Sequence, residues 1–220
     1  MNKQNPPLVK ICGLRDALAA RVAIESGALA MGFMLAESRR RVSPEVISSI
    51  LDDLPSARPP AIGVFVNESA EHIVAQVRAA GLDMIQLSGD ESPDILGELD
   101  RPAWKAFRFT RGTTVDEASR VIEPWFTRQR PVAAILLDAA VVGRYGGSGH
   151  QANWELAGHL AKRYPVILAG GLNPGNVVNA ILTVRPIGVD VSSGVERDGN
   201  KDIPSIQTFV ANSLTAFGML

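Results

Sequence analysis

The chain has one cysteine in 220 residues, and its neighbours suit it to chemistry. Cys12 closes the apolar run Leu8-Val9-Lys10-Ile11-Cys12 and is followed by Gly13, the pattern of a short strand with a thiol at its C-terminal tip. Lys10 and Cys12 share parity, so both face one side of that strand and Val9 and Ile11 the other. A cation two residues from a thiol favours the thiolate; the alternative is a buried cysteine serving as a small hydrophobe. Asp138 follows the apolar residues Ala134 to Leu137. Partial burial would raise its carboxyl pKa and suit a proton donor, while capping the next loop is the competing use. Arg39-Arg40-Arg41 reads either as a solvated basic patch or as a clamp for a carboxylate or phosphate. Gly170-Gly171 and Ser192-Ser193-Gly194, the latter just after Asp190, could be ordinary tight turns. They could equally let backbone N–H groups approach an anion.

Composition narrows what such residues could serve. With 22 basic and 23 acidic residues the net charge is -1, which leaves no global field for nucleic acid or a membrane surface. A single cysteine excludes an internal disulfide framework and suits a reducing compartment. No apolar run reaches the roughly 18 residues of a membrane span, and Met1 to Pro7 holds no apolar signal core. A cytoplasmic protein is expected, with monomer and homodimer both open.

Eight short apolar runs set the frame: Leu8–Cys12, Leu29–Met34, Ala61–Val66, Met84–Leu87, Ala103–Arg108, Ala133–Asp138, Val166–Ala169 and Gly188–Val191. Amphipathic stretches separate them, near Asp16–Ser26, Pro44–Leu54, Ala70–Ala80, Pro93–Leu99, Val115–Phe126, Trp154–Lys162, Asn176–Val184 and Ile203–Ala216. Ser43, Ser69 and Ser92 stand where helix N-caps belong, two of them followed by Pro. Eight strand-then-helix units predict one domain over residues 1–220, a single-domain (β/α)8 TIM barrel; an open doubly wound sheet is the alternative. In such barrels chemistry sits at the C-terminal strand ends, and the turns after strands seven and eight often hold phosphate. Cys12, Arg40, Asp138, Gly171 and Ser192 to Gly194 all fall there.

The stretch from Ala139 to about Asn153 holds Gly143, Gly146, Gly147 and Gly149 and reads as a mobile lid over the barrel mouth. His72 and His159 fall in predicted helices, and only His150 in the lid could visit a site. No spacing matches a metal site.

Taken together, these residues closely resemble the phosphoribosylanthranilate isomerase family. The matching segments are Lys10-Ile11-Cys12-Gly13, Glu25 to Ala28 with Met31-Gly32-Phe33, Ser43-Pro44-Glu45, Gly63 to Asn67, Gln86-Leu87, Leu136 to Asp138, Tyr145 to Gly149, Leu168 to Pro174 and Gly188 to Glu196. The resemblance implies an Amadori rearrangement in tryptophan biosynthesis, from an aminoaldose, N-(5-phosphoribosyl)anthranilate, to the matching aminoketose phosphate. It implies Asp138 as general acid and Cys12 as general base. Arg40 would hold the anthranilate carboxylate, and Gly171, Asp190, Ser192, Ser193 and Gly194 would form the phosphate end of the site. No cofactor and no metal are implied, and the only partner is a small phosphorylated substrate. Three places depart from the family pattern: Ser88 stands for a histidine, Ala19-Ala20 where an aspartate is usual, and Ala152-Asn153 for Phe-Asp. An isomerase of the histidine-pathway aminoaldose is a second reading, opposed by Cys12, because that enzyme looks to use two carboxylates. A non-catalytic paralogue that binds phosphorylated ligands is a third, kept open by Ser88.

Overall fold

Ala61-Ile62-Gly63-Val64-Phe65 is buried at every position, and near-continuous apolar runs of this kind belong to parallel sheets covered on both faces. A computed structural model describes residues 7–110, 112–138 and 154–220. In it eight such strands close into a parallel barrel. They are β1 (Leu8–Cys12), β2 (Ala30–Met34), β3 (Ala61–Phe65), β4 (Met84–Leu87), β5 (Ala103–Phe107), β6 (Ala134–Asp138), β7 (Val166–Ala169) and β8 (Gly188–Val191). The seam is made by β1 and β8, which pair from Leu8↔Gly188 to Ile11↔Val191. The expected strand bounds agree to within one residue at either end. The closed barrel, not the open sheet, is the architecture.

Around the barrel run α1 (Ala17–Glu25), α2 (Pro44–Asp52), α3 (Ala70–Ala80), α4 (Val115–Ile122), α5 (Trp154–Ala161), α6 (Val177–Val184) and α7 (Ile203–Phe217). Ser43 and Ser69 cap α2 and α3 as expected, accepting from the N–H groups of Val46 and His72. One expected helix is corrected. Residues Pro93–Leu99 form only a 3-10 turn over Pro93–Gly97, capped by Ser92. A seven-residue window with Pro at its start and Gly97 within it cannot offset the cost of nucleating an α-helix. The lid expected between Ala139 and Asn153, with Gly143, Gly146, Gly147, Gly149 and His150, lies outside the described residues.

Strand parity divides the core. Ala30, Ile62, Trp104, Ala134, Leu136, Ile167 and Ala169 form a small cluster inside the barrel, while the opposite faces of the strands pack under the helices. Lys10 and Cys12 have inward parity, with Gln86, Asp138 and Asp190. Gly188 is inward too, and a Cβ there would lie 2.6 Å from both Leu8 Cβ and Leu8 O across the seam. Gly188→Ala should therefore strain barrel closure. The expected loss is about 2 kcal/mol, the scale of core overpacking, read as a lower urea midpoint; an unchanged midpoint would show that the seam can relax.

Candidate active site

At the floor of the C-terminal mouth is a lysine with no solvent exposure. Lys10 Nζ donates to Asp190 Oδ1 at 2.9 Å and to Gln86 Oε1 at 2.8 Å. Lys10 and Asp190 are register partners on β1 and β8. Gln86 turns its amide nitrogen to Ser88 Oγ at 3.0 Å, so a polar chain crosses the barrel from β8 to the end of β4. Ser88 is thus tied into this chain. Burial works against the Lys10 charge, but Asp190 and Cys12 outweigh it and hold the proton more firmly than on an exposed lysine.

Cys12 lies one step above Lys10 on the same inward face. A Cβ on Gly32 would stand 2.8 Å from both Cys12 Sγ and Lys10 Cε; the two side chains share the room that a missing side chain leaves. Burial pushes the thiol up, Lys10 pulls it back down without reversing it, and Asp190 adds a smaller push upward. This corrects the expectation that the neighbouring cation sets the thiol: desolvation dominates, and Cys12 rests as a thiol more firmly protonated than an exposed one.

Above this floor, Glu196 gathers three cations. Arg40 grips it with a two-pronged pair, Nε to Oε1 at 2.6 Å and Nη2 to Oε2 at 2.9 Å. Arg39 Nη2 reaches Oε2 at 2.8 Å, and Lys201 Nζ reaches Oε1 at 3.0 Å. The Glu196 and Lys201 side chains are 5% and 3% exposed. Burial opposes the Glu196 charge, but hydrogen bonds from Arg40 and the charge of Lys201 prevail and bring its pKa down to about 2. Lys201 arrives on a hairpin made by β9 (Glu196–Arg197) and β10 (Asn200–Lys201), whose register sets Lys201 opposite Glu196. Asp198 and Gly199, at φ 52° and 78°, make its two-residue turn. Lys201 also donates to Ser192 O at 2.9 Å. Gly13, at φ 74°, completes the junction: a Cβ there would meet Arg40 Cδ at 2.7 Å and Ser192 Oγ at 3.1 Å.

On the other side of the mouth Asp138 is 23% exposed and accepts from Arg108 Nε at 3.0 Å. After β7, Gly170 and Gly171 both take positive φ, 84° and 66°. Gly171 O accepts from Asn176 Nδ2 at 2.9 Å. After β8, Ser193–Val195 make one 3-10 turn. Gly194 is where the two turns touch, since a Cβ there would fall 1.8 Å from Leu172 O. Ser192 Oγ, on the Gly13 side of this turn, is buried without a hydrogen-bond partner among the described residues.

The structure therefore brings Cys12, Arg40, Asp138, Gly171 and Ser192 to Gly194 to one mouth, with Asp190 beneath them as the counter-ion of Lys10. The expected partial burial of Asp138 holds. Of the three arginines, Arg40 is the one turned in, at 18% exposed against 61% for Arg39. Ala19 and Ala20 are buried in α1, whose N-cap is Asp16, accepting from Ala19 N–H at 2.8 Å. His72 and His159 lie on α3 and α5, away from the strand ends. No group of three or more metal-binding side chains occurs among the described residues. Sequence reasoning missed the joint roles of Glu196 and Lys201. The Asp198-Gly199 dipeptide, a hairpin signal, could have set them opposite each other.

The closed eight-stranded barrel, with a thiol, a carboxyl and glycine turns gathered at its C-terminal mouth, is the architecture of a barrel enzyme. The family model for N-(5'phosphoribosyl)anthranilate (PRA) isomerase matches residues 9–212, and the chain belongs to that family. It is 43% identical over 203 residues to an N-(5'-phosphoribosyl)anthranilate isomerase of Desulforudis audaxviator, covering 92% of this chain and 96% of that one. The solved phosphoribosyl anthranilate isomerase of Thermotoga maritima superposes with a TM-score of 0.82 at 36% identity, covering 94% and 98% of the two chains. Another solved isomerase, in complex with reduced 1-(o-carboxyphenylamino)-1-deoxyribulose 5-phosphate, superposes at 0.78 and 35% identity over the same shares.

Glu196→Gln keeps the shape of the hub and removes the carboxylate charge that Arg40 and Lys201 share. The expected loss at pH 7 is about 3 kcal/mol, the scale of breaking a buried pair from one side. A depressed carboxyl pKa stabilises the fold above the unfolded-state value and loses that effect as protons return. The gap between parent and variant should therefore shrink from about pH 4.5 down to about pH 2. Urea unfolding at several pH values measures it, and a gap independent of pH would refute the account.

Proposed function

We propose that this chain converts N-(5'-phosphoribosyl)anthranilate to 1-(2-carboxyphenylamino)-1-deoxyribulose 5-phosphate in tryptophan biosynthesis, by acid and base catalysis. The observation that carries the residue roles is one mouth holding the thiol of β1 and the carboxyl of β6, with a glycine turn after β7 and a 3-10 turn after β8. Asp138 gives a proton to the furanose ring oxygen as the C1–O bond breaks, and the anilino nitrogen lone pair closes a C1=N double bond. Cys12 removes the C2 proton, and the C–H electrons form C1=C2 and neutralise the nitrogen. The resulting enol becomes the ketone as C1 gains a proton and the C2 hydroxyl loses one. No atom is gained or lost overall.

Burial makes the Cys12 thiolate, once formed, a stronger base than an exposed one. Arg40, with its stem laid over Gly13, is set to receive the anthranilate carboxylate. The substrate phosphate sits at the turns of Gly171 and Ser192 to Gly194, whose backbone N–H groups are the natural donors for an anion. A cytoplasmic setting fits the unpaired cysteine, and no described helix is long and apolar enough to cross a membrane.

Two substitutions test the acid and the base. Cys12→Ser and Asp138→Asn should each fold and lose roughly 10²–10⁴-fold in kcat, followed by the disappearance of substrate fluorescence. A variant that keeps more than half the parent turnover removes its residue from the mechanism. The phosphate end is tested by Gly194→Ala, which drives a methyl group into Leu172 O and parts the two turns. KM should rise at least tenfold and competition by inorganic sulfate should vanish with it; unchanged sulfate inhibition would place the anion elsewhere.

A further inference from the structure

Lys10 has no part in the proton transfers above, yet it is a fully buried cation directly beneath the thiol. A buried ion pair is poor grounds for stability, because apolar residues of the same volume generally do as well. Its position says more. Inward parity puts Lys10 and Cys12 on one face of β1, Gly32 of β2 leaves the gap in which Sγ and Cε meet, and Gln86 and Asp190 hold the ammonium from both sides. We infer that Lys10 is a positioning residue that keeps a fixed positive charge against the Cys12 sulfur, so that a thiolate can form inside a barrel that would otherwise suppress it. The inference rests on the reading of Cys12 as the general base.

The charges around Cys12 can be set out. From β1 comes Lys10, from β8 Asp190, from β10 Lys201, and from the segment after β2 Arg40 over Gly13; Asp138 closes the mouth from β6. Lys201 and Arg40 face the shared carboxylate of Glu196. Lys10 faces Asp190, whose carboxylate secures the lysine's proton, and it is the strongest opposing charge to desolvation at the thiol. With Asp190 alone below it, a thiolate would meet a bare anion.

The test reads the thiol directly. Cys12 is the only cysteine, so ultraviolet thiolate absorbance of the ligand-free protein against pH, with Cys12→Ser as blank, reports on it alone. Two variants are used, Lys10→Gln and the double variant Lys10→Met with Asp190→Asn, which removes cation and anion together and leaves no buried charge unpaired. In both, the midpoint of thiolate formation should move up by about one pH unit or more. The acid limb of kcat/KM should move up with it. A purely structural lysine would lower the melting temperature and leave both pH profiles in place. A folded variant whose midpoint is unchanged or lower overturns the inference, as would failure of both variants to fold, which would make the pair a packing requirement. The absorbance titration needs no turnover. If it shifts while Cys12→Ser remains active, the inference stands for the thiol and the general-base reading falls.

Discussion

An ammonium group with no solvent-accessible surface persists inside this barrel because a carboxylate faces it across the closing seam. The Lys10–Asp190 pair joins the first strand to the last, and their Cα positions are direct register partners. A slip of one residue between β1 and β8 would turn one of the two charges to the opposite face of the sheet, among the apolar side chains under the helices. Each alternative register therefore carries the penalty of an unpaired buried charge. The same pair fixes the height at which Cys12 enters the mouth, since Cys12 follows Lys10 on the same face. Closure of the fold and placement of the thiol are thus one constraint.

The upper part of the site is built on a different principle. Glu196 accepts from Arg39, Arg40 and Lys201, and Lys201 reaches on to the Ser192 carbonyl. One carboxylate therefore joins the segment after β2, the turn after β8 and the β9–β10 hairpin. The proposed carboxylate end of the site and its proposed phosphate end are held at a set separation by charge pairing, not by packing. The floor is rigid because its groups are buried, and the rim because its groups are cross-linked.

Much of this was legible in the residues themselves. Leu8–Cys12 announces strand and parity in five letters, and Gly170-Gly171 and Ser192-Ser193-Gly194 after the last two strands announce turns. Contacts between residues far apart in the chain are not visible in it. Nothing near Lys10 points to Asp190, 180 positions away, and nothing near Asp138 names Arg108 as a partner. The state of the thiol is hidden for the same reason: the neighbouring lysine is visible in sequence, whereas the desolvation that outweighs it is a property of the closed barrel. Apolar spacing over the seven residues Pro93–Leu99 cannot tell one turn from two, and the structure forms the single 3-10 turn Pro93–Gly97.

The hairpin after β8 makes the local chain length here a functional quantity. Its turn has two residues, both with positive φ, and Lys201 lies opposite Glu196 only for that count. Adding or deleting a single residue between Arg197 and Asn200 would reverse the face on which Lys201 emerges, releasing both Glu196 and the Ser192 carbonyl. Length variation among natural homologues should accordingly collect in the other connections of the barrel, and anyone grafting new loops onto this scaffold should leave this short one at its present size.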